Sequence, residues 1–343
     1  MLSPIARQRF EKFKKNRRSW YSLWIFMVLL TVTMFSEFIA NDKPLIVQYK
    51  GSYYFPVFKN YAETTFDGDF ETETSYKDQY ISDIINKDGW MLWPLIPYSY
   101  DTINFKLDRP APAPPSSENW LGTDDQGRDL LARLLYSIRF SLVFGLLLTG
   151  ISLVLGVTAG AIQGYFGGKV DLLFQRFMEI WSGLPIIFLM IILSSFVTPN
   201  FWWLLLMFSF FKWMMIVPVV RAEFLRAKNY DYVRAAKAMG VSNFAIMWRH
   251  ILPNVLSMPL TVIPFVLTTS ISLLATLDFL GFGLPPGSPS LGEILNQGKS
   301  NLYAPWIGIS GFLSISIVLS ILVFIGEGVR DALNPKKGGL DLL

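Results

Sequence analysis

The chain has 343 residues, 52% of them hydrophobic and only 16% charged, with a mean hydropathy of +0.39 and a formal net charge of +4. Soluble domains carry about 25% charged residues, so this composition belongs to a membrane protein. There is no cysteine and one histidine, His250, which excludes disulfides, thiolate metal sites, cysteine nucleophiles and histidine-rich metal or catalytic sets within the chain.

Residues 1–19 form a basic tail in which Arg7, Arg9, Lys12, Lys14, Lys15, Arg17 and Arg18 stand against one acid, Glu11. Phe10 and Phe13 among them suit either a helix lying on anionic lipid or a solvated tail. The apolar run Trp20–Ala40 is long enough to cross a ~30 Å hydrocarbon layer. Phe38 stands where a signal-peptide cleavage site requires a small residue, so 20–40 reads as a retained first span. Residues 41–118 hold twelve acids and seven bases with many tyrosines and read as a folded insertion beyond the membrane. VQYKGSYYFPVF predicts a hairpin, and Lys106 to Asn119 an extended linker.

In 119–140, Thr123 or Asp124 is placed to cap a helix starting near Asp125, with Leu130, Leu131, Leu134, Leu135 and Ile138 on one face. An interfacial amphipathic helix is expected there. Residues 141–325 then read as five spans: Ser141–Gln163, Leu172–Val197 (broken by Gly183 and Pro185), Phe201–Val220, Val255–Leu274 (with Pro259 and Pro264) and Trp306–Ile325. The loop Gly164–Asp171 is no phosphate loop, because its Gly–Lys spacing is one residue short and Val170 replaces the required Ser or Thr. GFGLPPG, before the last span, lacks the spacing of a dinucleotide fingerprint. Residues 326–343 form a tail.

The long polar stretch 221–254 divides the apolar core. It predicts a helix over Tyr230–Met239, ended by Gly240 in the left-handed conformation. A second helix follows, capped by Ser242 and carrying Phe244, Met247, Trp248 and Ile251 on one apolar side. Pro253 marks a boundary at Leu252. Ala235, Ala236 and Gly240 give this helix–Gly–helix a flat face that suits close approach to another protein, although an ordinary connector has the same outline. Arg249 and His250 favour a helix C-terminus and could equally meet carboxylates of a partner.

Six spans place both termini and the 221–254 stretch on one side of the membrane. Segments on that side carry eighteen Lys and Arg; the opposite segments carry eleven, with seventeen acids. The positive-inside rule therefore makes the first side cytoplasmic. Glu179 and Lys212 are the ionisable residues inside spans, where charge is costly and normally faces a path or a partner. Pairing with each other, an interfacial position beside Arg176 and Trp181 for Glu179, and snorkelling or a neighbouring subunit for Lys212 all remain open. Pro185, Pro218, Pro259 and Pro264 leave unpaired carbonyls that suit hinges or ordinary membrane bends alike.

Ala235-Ala236-x-x-x-Gly240 followed by Ile251-x-Pro253 resembles the EAA loop of ABC importer permeases, with Arg234 in place of the leading Glu. LGTDDQGRD (121–129) resembles the signature of the dipeptide/oligopeptide/nickel branch. WYSLWIF, SEFIANDKPL, TINF (102–105) and DFLGFGLPPGSPSLGE look like the second permease subunit of Yej-type oligopeptide/microcin C importers. The resemblance implies an all-α polytopic fold of the type I importer permease kind, with six transmembrane helices and an extracytoplasmic insertion between the first two. It implies that Arg234, Ala235, Ala236, Gly240, Ser242, Phe244, Arg249, His250 and Pro253 couple to an ATPase. Glu179 and Lys212 are then expected along the translocation path, and Gly281, Gly283 and Pro285 at an outer gate or binding-protein contact. Implied partners are a sister permease, an ATPase with two nucleotide-binding domains, a periplasmic solute-binding protein and the inner-membrane bilayer. No catalytic residue, metal, bound cofactor or nucleic acid is implied, since ATP and Mg belong to the ATPase. An intramembrane enzyme would need more than Glu179 and Lys212, and a secondary transporter would need inverted repeats and coupling-ion carboxylates.

Overall fold

In the computed structural model, which describes residues 4–333, helices dominate and one small sheet sits inside the insertion. The basic tail is helix α1 (Pro4–Lys15), followed by α2 (Arg17–Met34) and the short α3 (Ser36–Ile39). Phe13 is buried. A Cβ built on Gly328 would lie 2.9 Å from its ring, so this tail is docked on protein rather than solvated.

The expected hairpin is present as β1 (Ile46–Tyr49) and β2 (Ser52–Tyr54), antiparallel with Tyr49 opposite Ser52. Lys50 and Gly51 both have positive φ, 46° and 81°, as a two-residue turn matched to strand twist requires. Helix α4 (Gln79–Asp88) is capped by Asp78, which accepts the Tyr80 N–H at 2.8 Å. It leads into β3 (Gly89–Leu92), which completes the order β2-β1-β3. Val47, Tyr49, Phe66, Tyr76, Ile81 and Ile85 form the core of this insertion.

Helix α5 (Leu130–Phe166) runs unbroken for 37 residues. The separate interfacial helix expected over 119–140 is therefore corrected: 119–129 is loop, and the rest is the first part of α5. Its cap is Asp129, whose Oδ1 accepts the Ala132 N–H at 2.8 Å, not Thr123 or Asp124. The segment 106–119 is packed rather than a free linker, since Ala113 and Asn119 are buried and Ala113 exchanges hydrogen bonds with Thr123.

Beyond α5 come α6 (Gly168–Ser182), α7 (Ile186–Ser194), α8 (Phe201–Lys212), α9 (Val217–Ala227), α10 (Asp231–Ala238), α11 (Asn243–Ala245), α12 (Leu252–Val255), α13 (Ser257–Leu260), α14 (Ile263–Phe279), α15 (Leu291–Ser300) and α16 (Pro305–Leu333). A π-turn, Ile246–Ile251, links α11 to α12. The chain thus stays helical through Pro253, past the boundary expected at Leu252. By length and composition α5 and α16 each qualify to cross a membrane. The α6–α7 and α8–α9 pairs qualify together, bent by 62° and 41°. Gly183 and Pro185 interrupt the first pair, and Pro218, with no N–H to donate, lies in the first turn of α9. Helix α14 is shorter, at 17 residues.

The described chain forms two compact units. One gathers α1, the first part of α2, residues 141–285 and α16 from Ser316 onward; the other gathers residues 29–140 and 286–315. In the first unit, Gly156, Gly160 and Gly164 recur every fourth residue along one side of α5. A Cβ on Gly160 would lie 2.7 Å from the Val220 Cβ, and one on Gly164 2.5 Å from the Phe224 Cβ. The backbones of α5 and α9 therefore touch along a seam of small residues.

Replacing Gly160 by Leu should force that seam apart and cost about 1–3 kcal/mol, the usual penalty of overpacking. Gly150, on the same helix with open space around it, provides the control. Gly150→Ala should hold or raise the melting temperature of the purified protein in detergent while Gly160→Leu lowers it.

Candidate functional site

The 221–254 stretch folds as two short helices around a left-handed glycine. Gly240 has φ +79°, and Ser242 Oγ accepts the Ala245 N–H at 3.3 Å. Helix α10 turns Val233 and Ala236 inward and leaves Arg234, Ala235 and Lys237 exposed. Successive helical residues point about 100° apart, so Ala235 and Ala236 do not share one outward face. Ala236, 2% exposed, belongs to the chain's own core. Phe244 likewise departs from the apolar side expected for it. It is 72% exposed, while Ile246, Met247 and Ile251 are buried and Trp248 is partly buried.

These inward residues share one core with Val157 and Ala161 of α5 and with Ile216, Val220, Phe224 and Ala227 on and before α9. Polar contacts tie the same elements. The Tyr165 hydroxyl donates to Asn243 Oδ1 at 2.7 Å, and Arg221 grips Asp171 with two bonds of 2.5 and 2.6 Å. What remains outward is a surface of Ala235, Met239 and Phe244 edged by Arg234, Lys237 and the exposed Arg249. His250 is half-buried and Pro253 exposed.

Glu179 and Lys212 are not brought together. Glu179 accepts from Arg176 Nη1 at 2.6 Å, one turn away on the same exposed helix face. Lys212, half-buried at the end of α8, has no ion pair or hydrogen bond among the described residues. At the other end of this unit, the loop after α14 is folded back on the helix. Asp278 Oδ1 accepts the Leu284 N–H at 2.7 Å, and Ser194 Oγ donates to the Phe282 carbonyl at 3.3 Å. Gly283 is buried against the Asp278 carboxyl, Gly281 has φ +79°, and Pro285 is half-buried. The two glycines thus have a local structural reason.

The second unit contains a buried charge network absent from the sequence-based reading. Its centre is Asp124, inside LGTDDQGRD. Asp124 Oδ1 accepts the Gln126 and Arg128 N–H groups at 3.0 and 2.9 Å, and Oδ2 accepts from Arg128 Nε at 2.6 Å. Arg133, fully buried, donates to Glu293 Oε2 at 2.7 Å and to the carbonyls of Tyr100 and Ser288 at 3.0 and 3.3 Å. Its Nε lies 3.3 Å from Asp124 Oδ2 without an aligned hydrogen bond. The repeated charges at 124, 128 and 133 were the available signal, but Glu293 is too distant in sequence for spacing to find. Gly122 and Gly127, with φ of +78° and +81°, let the loop close around the carboxylate. Thr123 completes it by accepting from the Ala113 N–H through Oγ1 and from Trp306 Nε1 through its carbonyl. Burial pushes the Asp129 carboxyl above the usual range, opposed by its bonds from Asn119 and the start of α5.

Residues 152–339 match the family model described as "Binding-protein-dependent transport system inner membrane component". The "Inner membrane ABC transporter permease protein YejE" of Escherichia coli (strain K12) is 56% identical over 336 residues, covering 98% of both chains. The "Peptidoglycan transport system permease protein YejE" of Agrobacterium fabrum is 49% identical, covering 98% of this chain and 94% of that one. The "Oligopeptide transport system permease protein OppC" of Lactococcus lactis subsp. lactis is 37% identical over 66% of this chain and 78% of its own.

The buried network yields a direct expectation. Asp124→Asn removes the carboxylate shared by two buried guanidinium groups, and breaking such a pair costs about 3–5 kcal/mol. The variant should lose most of its detergent-stable expression, whereas Asp125→Asn, one residue away, should not; size-exclusion profiles of the two variants decide this.

Proposed function

The chain belongs to the family of binding-protein-dependent transport system inner membrane components, and we propose on that footing that it is the permease subunit of an ATP-driven ABC importer for peptides or peptide-like compounds. The names of its relatives, an oligopeptide permease and a peptidoglycan-transport permease among them, support this cargo class, and compounds of the microcin C type fall within it. The chain itself makes and breaks no bond. ATP and Mg are held by a partner ATPase with two nucleotide-binding domains, solute arrives on a periplasmic binding protein, and a sister permease completes the path. Six spans are expected in the inner membrane, α2 and α14 joining the four long or paired ones, with both termini cytoplasmic.

The observation that carries the mechanism is the two-sidedness of α10. Its inner side is core shared with α5 and α9; its outer side, with Ala235, is open, as are Met239 and Phe244 just beyond its end. Seated in a groove of the ATPase, that outer side follows the closure of the nucleotide-binding domains. The inner side carries the motion to the spans, because packed interiors transmit displacement rather than absorb it. Alternating access follows as the spans reorient. Lys212, half-buried at membrane depth, is the side chain best placed for the path or the sister subunit, while Glu179 sits on Arg176 at the interface.

Ala235→Asp places an unpaired charge on the docking side, where seating would desolvate it, without touching the core. Stable expression should be retained, while peptide uptake and binding-protein-stimulated ATP hydrolysis in reconstituted vesicles fall at least about tenfold. Normal stimulation would defeat the coupling assignment. Orientation is checked separately: a cysteine at Ser75 should react with an impermeant thiol reagent outside spheroplasts, and one at Lys237 should not.

A further inference from the structure

The insertion and the segment leading into α5 line a cleft of about 740 Å³. Its walls include Trp93, Leu95, Phe105 and Trp120, and the last three are large apolar side chains left well exposed. Lys77, half-buried, also lines it. The Lys77 ammonium lies 3.5 Å from the centre of the Tyr98 ring, and no described residue gives it an ion pair or hydrogen bond. Of the carboxylates near it, Asp129 and Asp42 have other hydrogen-bond donors, whereas Glu118 shares the cleft wall with it. Asp129 accepts from Ala132 and Asn119, and Asp42 accepts from the Thr102 hydroxyl. A concave site of this size, walled by aromatic and aliphatic side chains with a few charged groups, Lys77 and Lys106 against Asp78, Glu118 and Asp129, has the make-up of a small-molecule site.

We propose that this cleft binds the C-terminal carboxylate of a short peptide, with Lys77 on the carboxylate and the adjoining apolar side chain against Trp93 and Trp120. A free carboxylate supplies the charge-assisted bond that Lys77 lacks, and the aromatic walls supply area for an apolar residue beside it. The choice of a peptide as carrier rests on the importer reading; the carboxylate chemistry does not. The site would hold peptide at the outer face of the permease itself, apart from any binding protein. Burial lowers the Lys77 pKa to about 8, against the pull of Asp42, Asp129 and Glu118 and with a small push from Lys106. The cation is therefore present below pH 8 and lost above it, so carboxylate preference should fade as pH rises through that value.

The test is isothermal titration of the purified full-length chain in nanodiscs with Ala-Ala-Phe and with its C-terminal amide, at pH 6.5 and pH 9.5. The free acid should bind about tenfold more tightly than the amide at pH 6.5, and the preference should collapse at pH 9.5. Lys77→Met should abolish the preference at both values while leaving amide binding unchanged, and Lys77→Arg should keep it at both. The pH comparison needs no variant, so a misfolded substitution cannot rescue the proposal. Equal binding of acid and amide at pH 6.5, no binding of the acid at millimolar concentration, or an effect of Lys77→Met only on docking of a binding protein would each overturn it. Peptide uptake by cells, measured in parallel, separates the two readings: uptake without cleft binding sinks the cleft alone, and cleft binding without uptake sinks the importer reading.

Discussion

The first unit depends on the contact between α5 and α9, where three glycines let two helix backbones approach to within touching distance. Lipid tails are as apolar as leucine, so helices in a bilayer gain little from hiding apolar surface from one another, and close van der Waals packing has to supply the association. Gly156, Gly160 and Gly164 provide it by removing every side chain from the seam, against Ile216, Val220 and Phe224. Because α9 runs on into the polar stretch, the same seam fixes where α10 emerges. Val233, Ala236, Ile246, Met247 and Ile251 then fill the space beside it, and the loop becomes part of the bundle's core.

The second unit solves a different problem. Two arginines and two carboxylates lie together with little or no access to water, an arrangement that gains little over an apolar core and is costly to break. Arg133 binds the backbone of the loop at Ser288 and the Glu293 carboxylate, while Asp124 shapes the turn that starts α5. The chain entering α5 is thereby tied to the segment leading into α15.

Much of this was legible in advance because it is local. The Lys50-Gly51 turn, the left-handed Gly240, the Ser242 cap and the break at Gly183 and Pro185 each follow from the conformational limits of one or two residues. Features set by distant partners were not legible. Asp124 read as a helix cap because its partners Arg128 and Arg133 reach it through a loop rather than along a helix, and Glu293, which completes the network through the two arginines, is far away in sequence. Ala235 and Ala236 read as one face because both are small, whereas the helix sends Ala236 inward against Ile246. The glycine seam was written at a spacing of four along α5, but its meaning depends on what packs against it. Glu179 was read with its local partner Arg176 among the alternatives, and short range prevailed.

The coupling proposed for α10 requires that this helix, α5 and α9 move as one body, so that displacement at a partner ATPase would reach the membrane undiminished. The most direct measurement is the distance between spin labels at Lys237 on α10 and at Val154, an exposed position of α5, by pulsed electron resonance in the assembled importer. The account predicts that this distance changes by no more than about 2 Å, the scale of small packed-helix shifts, between the nucleotide-free and ATP-bound states. A change of one helical turn, about 5 Å or more, would mean that α10 slides over the bundle and would contradict it.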